Sequence, residues 1–98
     1  MNRTYTIGRN KGKTRLWLEG AILKAAGFKP GMRYDLETHE GTSLVLRLNA
    51  EGARKVSGKG DKPIIDIMSQ KELAHFEPGD KVTVDAFRRA VTVIRIPA

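Results

Sequence analysis

Eight cations stand in two runs, Arg9, Lys11, Lys13 and Arg15 near the start of the chain and Arg54, Lys55, Lys59 and Lys62 in its middle. The chemistry open to such runs is neutralisation of phosphate, with release of the counterions held by a polyanion. Their location adds weight to the net charge of +7. Residues 1–15 carry five basic residues and no acid, and residues 50–62 carry an excess of two, whereas residues 16–49 and 63–98 are each neutral. A polyanionic partner fits this segregation, and nucleic acid is the commonest one. The plainer reading is that basic linkers keep a small protein in solution. Seven of the eight cations would position a nucleic acid rather than read it. Arg15, at the start of a predicted strand, is the candidate for a base edge, guanine O6/N7; an ion pair with Glu37 or Glu19 competes for it. Arg88 and Arg89 fall at a predicted hairpin turn and would join only if that turn shares the basic face.

Little else points to catalysis. His39 and His75, the two histidines, fall at a predicted hairpin and a predicted helix end, where solvated or capping roles suit them. No His, Asp or Glu spacing suits a metal and there is no cysteine, so no metal and no cofactor are expected. Ser43 and Ser57 lack a nucleophile-elbow context. The string Gly8-Arg9-Asn10-Lys11-Gly12-Lys13 lacks phosphate-loop spacing and reads as a flexible basic arm. A metal-free ribonuclease built on Arg, Lys, Glu and one histidine stays open, with His39 and Glu40 as the residues to vary.

The elements that would position these cations are written twice. Residues 15–48 and 63–96 share the order strand, short helix, turn, strand, strand, joined by the basic segment 49–62 and preceded by the basic segment 1–14. Ala26, Phe28, Pro30, Gly31, Leu36 and Leu46 align at an offset of 48 with Ala74, Phe76, Pro78, Gly79, Val84 and Ile94, while Leu16 and Leu18 align with Ile65 and Ile67. One helix is predicted over Ala21–Ala26, ended by Gly27, and a second from Ser69, where Ser69-Gln70-Lys71-Glu72 has the form of a capping box. Each is followed by Phe-x-Pro-Gly, a type II turn launching an alternating strand. An additional strand is predicted at Thr4–Ile7, and Gly58-Lys59-Gly60-Asp61 reads as a flexible join. Leu16, Leu18, Leu23, Phe28, Tyr34, Leu36, Leu44, Leu46, Ile65, Ile67, Leu73, Phe76, Val82, Val84, Ile94 and Ile96 are the predicted core, with Trp17 as a core residue at its end. The expected fold is mainly β with two short helices, a small closed β-barrel with internal pseudo-two-fold symmetry in a single domain.

The string Leu16-Trp17-Leu18-Glu19-Gly20, then Leu23, Ala26-Gly27-Phe28, Pro30-Gly31, a Tyr34/Leu36 strand and Leu44-Val45-Leu46 resembles the AbrB/MazE/SpoVT swapped-hairpin superfamily, and within it the SymE-like branch. About 35 residues of the first half carry the resemblance, and the second half carries it more weakly, with Met68 in place of the glycine. The resemblance implies interleaved hairpins in one barrel and duplex DNA binding through basic residues at the first strand, with Arg15 at the arginine position and Pro63 departing from it in the second copy. It implies a transcription regulator or antitoxin-like module; the SymE-like branch implies RNA cleavage instead, and a partner module of a DNA-modifying enzyme is a third reading, with Trp17 and Phe87 as anchors. Superfamily precedent also allows a homodimer. No apolar run approaches membrane-spanning length and the opening residues lack a signal-peptide core, so the expected setting is cytoplasmic, without a membrane partner.

Overall fold

The computed structural model describes residues 1–39 and 42–97, so the hairpin expected over His39-Glu40-Gly41-Thr42 lies partly outside the described residues. The chain runs β1 (Asn2–Thr6), β2 (Gly8–Asn10), β3 (Lys13–Glu19), α1 (Ala21–Ala25), β4 (Arg33–His39), β5 (Ser43–Leu48), β6 (Arg54–Lys55), β7 (Ser57–Lys59), β8 (Lys62–Ile67), β9 (Lys81–Phe87) and β10 (Ala90–Arg95). It is mainly β and forms two antiparallel sheets, β1-β9-β10-β5-β4-β6 and β2-β3-β8-β7.

Both strand orders read as palindromes when the halves are superposed, which places a pseudo-dyad between β10 and β5 and between β3 and β8. At the second junction Leu16 pairs with Ile67 while its counterpart Ile65 pairs with Leu18. The symmetry extends to segments that the repeat in the sequence did not include. Gly8↔Arg15 in the β2–β3 hairpin corresponds to Ser57↔Ile64 in the β7–β8 hairpin. Ile7 and Val56, both buried, are counterparts as well. The Ile7 N–H donates to the Asp80 carbonyl and its own carbonyl accepts from Gly79 N, both at 2.8 Å. Val56 does the same with Met32 at 2.8 Å and Gly31 at 2.9 Å. Each half lends its first strand to the other: β1 pairs with β9, and β6 with β4. The consequence is one core drawing on both halves, with no buried polar or charged residue among the described residues.

The Phe-x-Pro-Gly turns form as expected. Gly31 and Gly79 take φ of 92° and 97°, and Met32 N donates to the Lys29 carbonyl as Asp80 N does to that of Glu77. Helix α1 buries Ile22 and Leu23 and is followed by Gly27 at φ 85°.

Four expectations need correction. The second helix is absent: residues 70–75 form turns, with Leu73 N bonded to the Ser69 carbonyl at 3.0 Å as the trace of a helical turn. The capping box fails because its glutamate is used elsewhere: both Glu72 carboxylate oxygens accept from Arg54 Nη2 at 2.8 Å. Leu73 and Phe76 still reach the core.

Ile94 and Ile96 are exposed, and Val91 and Val93 fill the core in their place. The β9–β10 hairpin turns on two residues, Phe87 pairing with Ala90, whereas β4–β5 turns on three, His39 pairing with Ser43. The missing residue changes the repeat offset from 48 to 47 beyond the turn, and a slip of one exchanges the two faces of a strand. Leu44 and Leu46 therefore correspond to Val91 and Val93.

Trp17 points outward, 38% exposed, because strand alternation sends Leu16 and Leu18 inward. Finally, residues 8–13 and 57–62 are ordered hairpins rather than a flexible arm and a flexible join.

The loop after β5 is tied to β4 by one carboxylate. Asp35 accepts from Asn49 Nδ2 at 2.7 Å and from the Ala53 N–H at 3.2 Å, and these bonds hold its carboxyl below the usual aspartate value. A depressed folded-state pKa contributes stability above the unfolded value of about 3.9, lost as pH falls through the folded value. Amide exchange at Ala53 is expected to accelerate below about pH 4 relative to the core, and Asp35→Asn should remove that dependence. Identical pH profiles in the two proteins would contradict the tie.

Candidate nucleic-acid interface

The two basic hairpins owe their form to their turn residues. In the first, Lys11 and Gly12 both take left-handed conformations, φ 52° and 77°, the requirement of a type I′ turn. In the second, Gly60 is the one of the two tip residues with positive φ, at 61°, ahead of Asp61, as a type II′ turn needs. Both turn types match the strand twist, so each holds a two-residue tip in a fixed place.

The first hairpin gathers Arg9 on β2, Lys11 at the tip and Lys13 at the start of β3, all exposed. The second gathers Lys59 and Lys62, exposed and directly opposite each other across the β7–β8 pair. Like charges facing across strands repel, and an anion between them removes the repulsion. Lys55 on β6 lies opposite Arg33 in the same unfavourable arrangement. Among the described residues, Arg9, Lys11, Lys13, Lys55, Lys59 and Lys62 take part in no ion pair.

Arg15 and Arg54 differ. Arg15 makes a two-pronged pair with Asp66 on the neighbouring strand, Nε to Oδ1 at 2.8 Å and Nη2 to Oδ2 at 2.9 Å. That bond raises the pKa of its guanidinium further. Its guanidinium carbon also lies 4.4 Å from the centroid of the Trp17 ring, a cation–π contact. The carboxylate partner is Asp66, not Glu19 or Glu37. Arg54 is held by Glu72, 18 residues away in sequence. Neither partner was signalled by local spacing: Arg15 and Asp66 bridge the halves, and Arg54 and Glu72 lie 18 residues apart within the second. The alternation Arg15-Leu16-Trp17-Leu18 did contain the stacking of Arg15 on Trp17, because residues two apart share a face.

The pseudo-dyad separates the two hairpins instead of merging them. Strands β3 and β8 are antiparallel, so the Lys13 end of one lies at the far end of the other from Lys62. By the strand register the two sit eight positions apart, about 26 Å at ~3.3 Å per residue. The four-stranded sheet thus carries basic tips at both ends, with Arg15, Asp66 and Trp17 on its outer face between them.

No protein-family model, curated protein or solved structure matches this chain. Among the described residues no group of three or more His, Cys, Asp or Glu could hold a metal ion, and no helix is long and apolar enough to cross a membrane. His39 lies at the end of β4, its Nε2 3.5 Å from Glu37 Oε2, and both side chains are exposed. Glu40, the other residue of the nuclease reading, lies outside the described residues. His75 offers its backbone carbonyl to Arg95.

Proposed function

We propose that this protein binds duplex DNA as an AbrB-like module, in the role of a transcription regulator or antitoxin. The observation that carries this reading is the pair of dyad-related basic hairpins at the two ends of one sheet. The backbones of a DNA duplex are themselves related by local two-fold axes, so two phosphate rows meet two such tips equivalently. The exchange of first strands between the halves supports assigning the two sheets to a small swapped-hairpin-type barrel with internal pseudo-two-fold symmetry.

Arg9, Lys11, Lys13, Lys55, Lys59 and Lys62 neutralise phosphates in this proposal, and Arg54 and Arg15 stiffen the framework through their carboxylate pairs. Arg15 reads a base edge only if DNA displaces Asp66, an exchange of one charge-assisted pair for another. With four to six contacts, log affinity against log salt has a slope of about −4 to −5, an affinity loss of several hundredfold between 50 and 200 mM. Replacing Lys11 and Lys13 by alanine reduces the slope by roughly 2 and weakens all duplex sequences alike. A duplex affinity insensitive to salt, or unchanged in the double variant, refutes the proposal.

The SymE-like reading keeps one foothold, the exposed pair of His39 and Glu37. Its test is incubation with total RNA in EDTA: shortening of the RNA that is lost in His39 and Glu40 variants favours the nuclease.

A further inference from the structure

A second cationic surface lies where the β9–β10 hairpin meets the end of α1, and Lys24 on it borders the tip of the second basic hairpin. A cleft of about 420 Å³ there is lined by Lys24, Phe87, Arg88 and Arg89 among others, and no carboxylate of the described residues lines it. Arg89 also borders a neighbouring cleft of about 490 Å³ that contains Arg33 and likewise no acid. Counted along the sequence, these cations vanish into neutral segments; in the fold, no acid among the described residues lines the cleft with them. Lys24 approaches Asp61 at 3.5 Å, but both side chains are well exposed and such a pair holds little. Among the described residues Arg88 and Arg89 make no ion pair.

Two observations give this cleft the marks of a built site. Arg89 stands in the left-handed region, φ 67°, at the second position of a two-residue hairpin, a place that favours glycine. Its backbone is clamped there: its N–H donates to the Ala26 carbonyl at 3.0 Å and its carbonyl accepts from Leu48 N at 2.9 Å. The arginine is retained at a cost in backbone strain, the sort of outlier that collects at binding sites. Beside it Phe87, which precedes the turn, is 55% exposed, a large ring with no fold-stabilising burial to account for it. Cations beside an exposed ring match a phosphodiester and its unpaired base, since every base offers a face for stacking.

We propose that this cleft binds single-stranded nucleic acid, Arg88, Arg89 and Lys24 taking phosphates while a base stacks on Phe87. Lys24 also borders the tip of the second basic hairpin, at Asp61 and Lys62, so the site is told apart from the duplex-binding hairpins by Phe87, Arg88 and Arg89. The probe is a fluorescent dT12 oligonucleotide, titrated by anisotropy against the full chain and compared with a 20-bp duplex. Phe87→Leu, which keeps apolar bulk but not the ring, should weaken dT12 binding about tenfold, and Phe87→Tyr should retain it. Arg88→Ala with Arg89→Gly should lower the dT12 salt slope by about 1.4, at ~0.7 for each phosphate contact on a single strand. Arg89→Gly alone should raise Tm by a few degrees, separating the loss of charge from any loss of fold. Duplex binding should be unchanged in all of these variants, and the Lys11/Lys13 double variant should leave dT12 binding intact. Wild-type dT12 affinity in Phe87→Leu and in the double arginine variant, or equal losses on both probes, overturns the proposal. Failure of the duplex reading appears separately, as salt-insensitive duplex binding with the dT12 effects preserved.

Discussion

Phe28→Ala is expected to remove a large share of the stability of the fold. Phe28 is 1% exposed, its ring centroid lies 6.1 Å from that of Tyr34, and its N–H closes the end of α1 by donating to the Leu23 carbonyl at 3.0 Å. Deleting a buried ring of this kind costs about 3–5 kcal/mol through lost burial and the cavity left behind. A single domain has only about 5–15 kcal/mol to lose. Phe76, its counterpart at 3% exposure, should behave alike. Phe87→Ala, at an exposed position, should change stability by no more than about 0.5 kcal/mol. Urea unfolding of the three variants is the measurement, and a wild-type midpoint for Phe28→Ala contradicts the packing described here. The shared core adds a corollary. A fragment of residues 1–52 leaves β1 without β9 and β3 without β8. It should be unfolded as a monomer, and a cooperative melt of the monomeric fragment contradicts a core shared between the halves.

Gly58→Ala is expected to disrupt the second basic hairpin. Gly58 adopts φ 110° opposite Pro63, and a Cβ placed on it would run into the Lys62 carbonyl oxygen. The obstacle is backbone, which cannot rotate away, so conformational strain and a clash act together, at about 2–3 kcal/mol or more. Gly60→Ala is the comparison: φ is also positive, at 61°, but nothing lies within 4 Å of its Cβ, so only about 1 kcal/mol is expected. Thermal melts of the two variants separate clash from strain. Duplex binding should fall with Gly58→Ala, since the Gly58–Pro63 pair stands next to the pair that sets Lys59 against Lys62. Equal stability of the two variants would show that the close approach is not rigid.

The sequence by itself determined the doubled plan, the mainly β class, the two Phe-x-Pro-Gly turns and the pattern of most of the core. Each of these depends on local periodicity or turn chemistry, which neighbouring residues carry. It also located the excess charge, because composition along the chain is visible without a fold. Only the tertiary structure decided what those charges face. Arg15 meets Asp66 and Arg54 meets Glu72 because β3 pairs with β8 and because residues 70–75 fold against the sheet edge, contacts with no local signature. A one-residue difference between two hairpins sent Ile94 to solvent and Val93 to the core, and no periodicity reveals which of two apolar faces a strand will bury. The dyad set the basic hairpins at opposite ends of a sheet because the strands it relates run antiparallel. The cluster of Lys24, Arg88 and Arg89 beside Phe87 arose the same way, from folding that brought α1 against the β9–β10 hairpin.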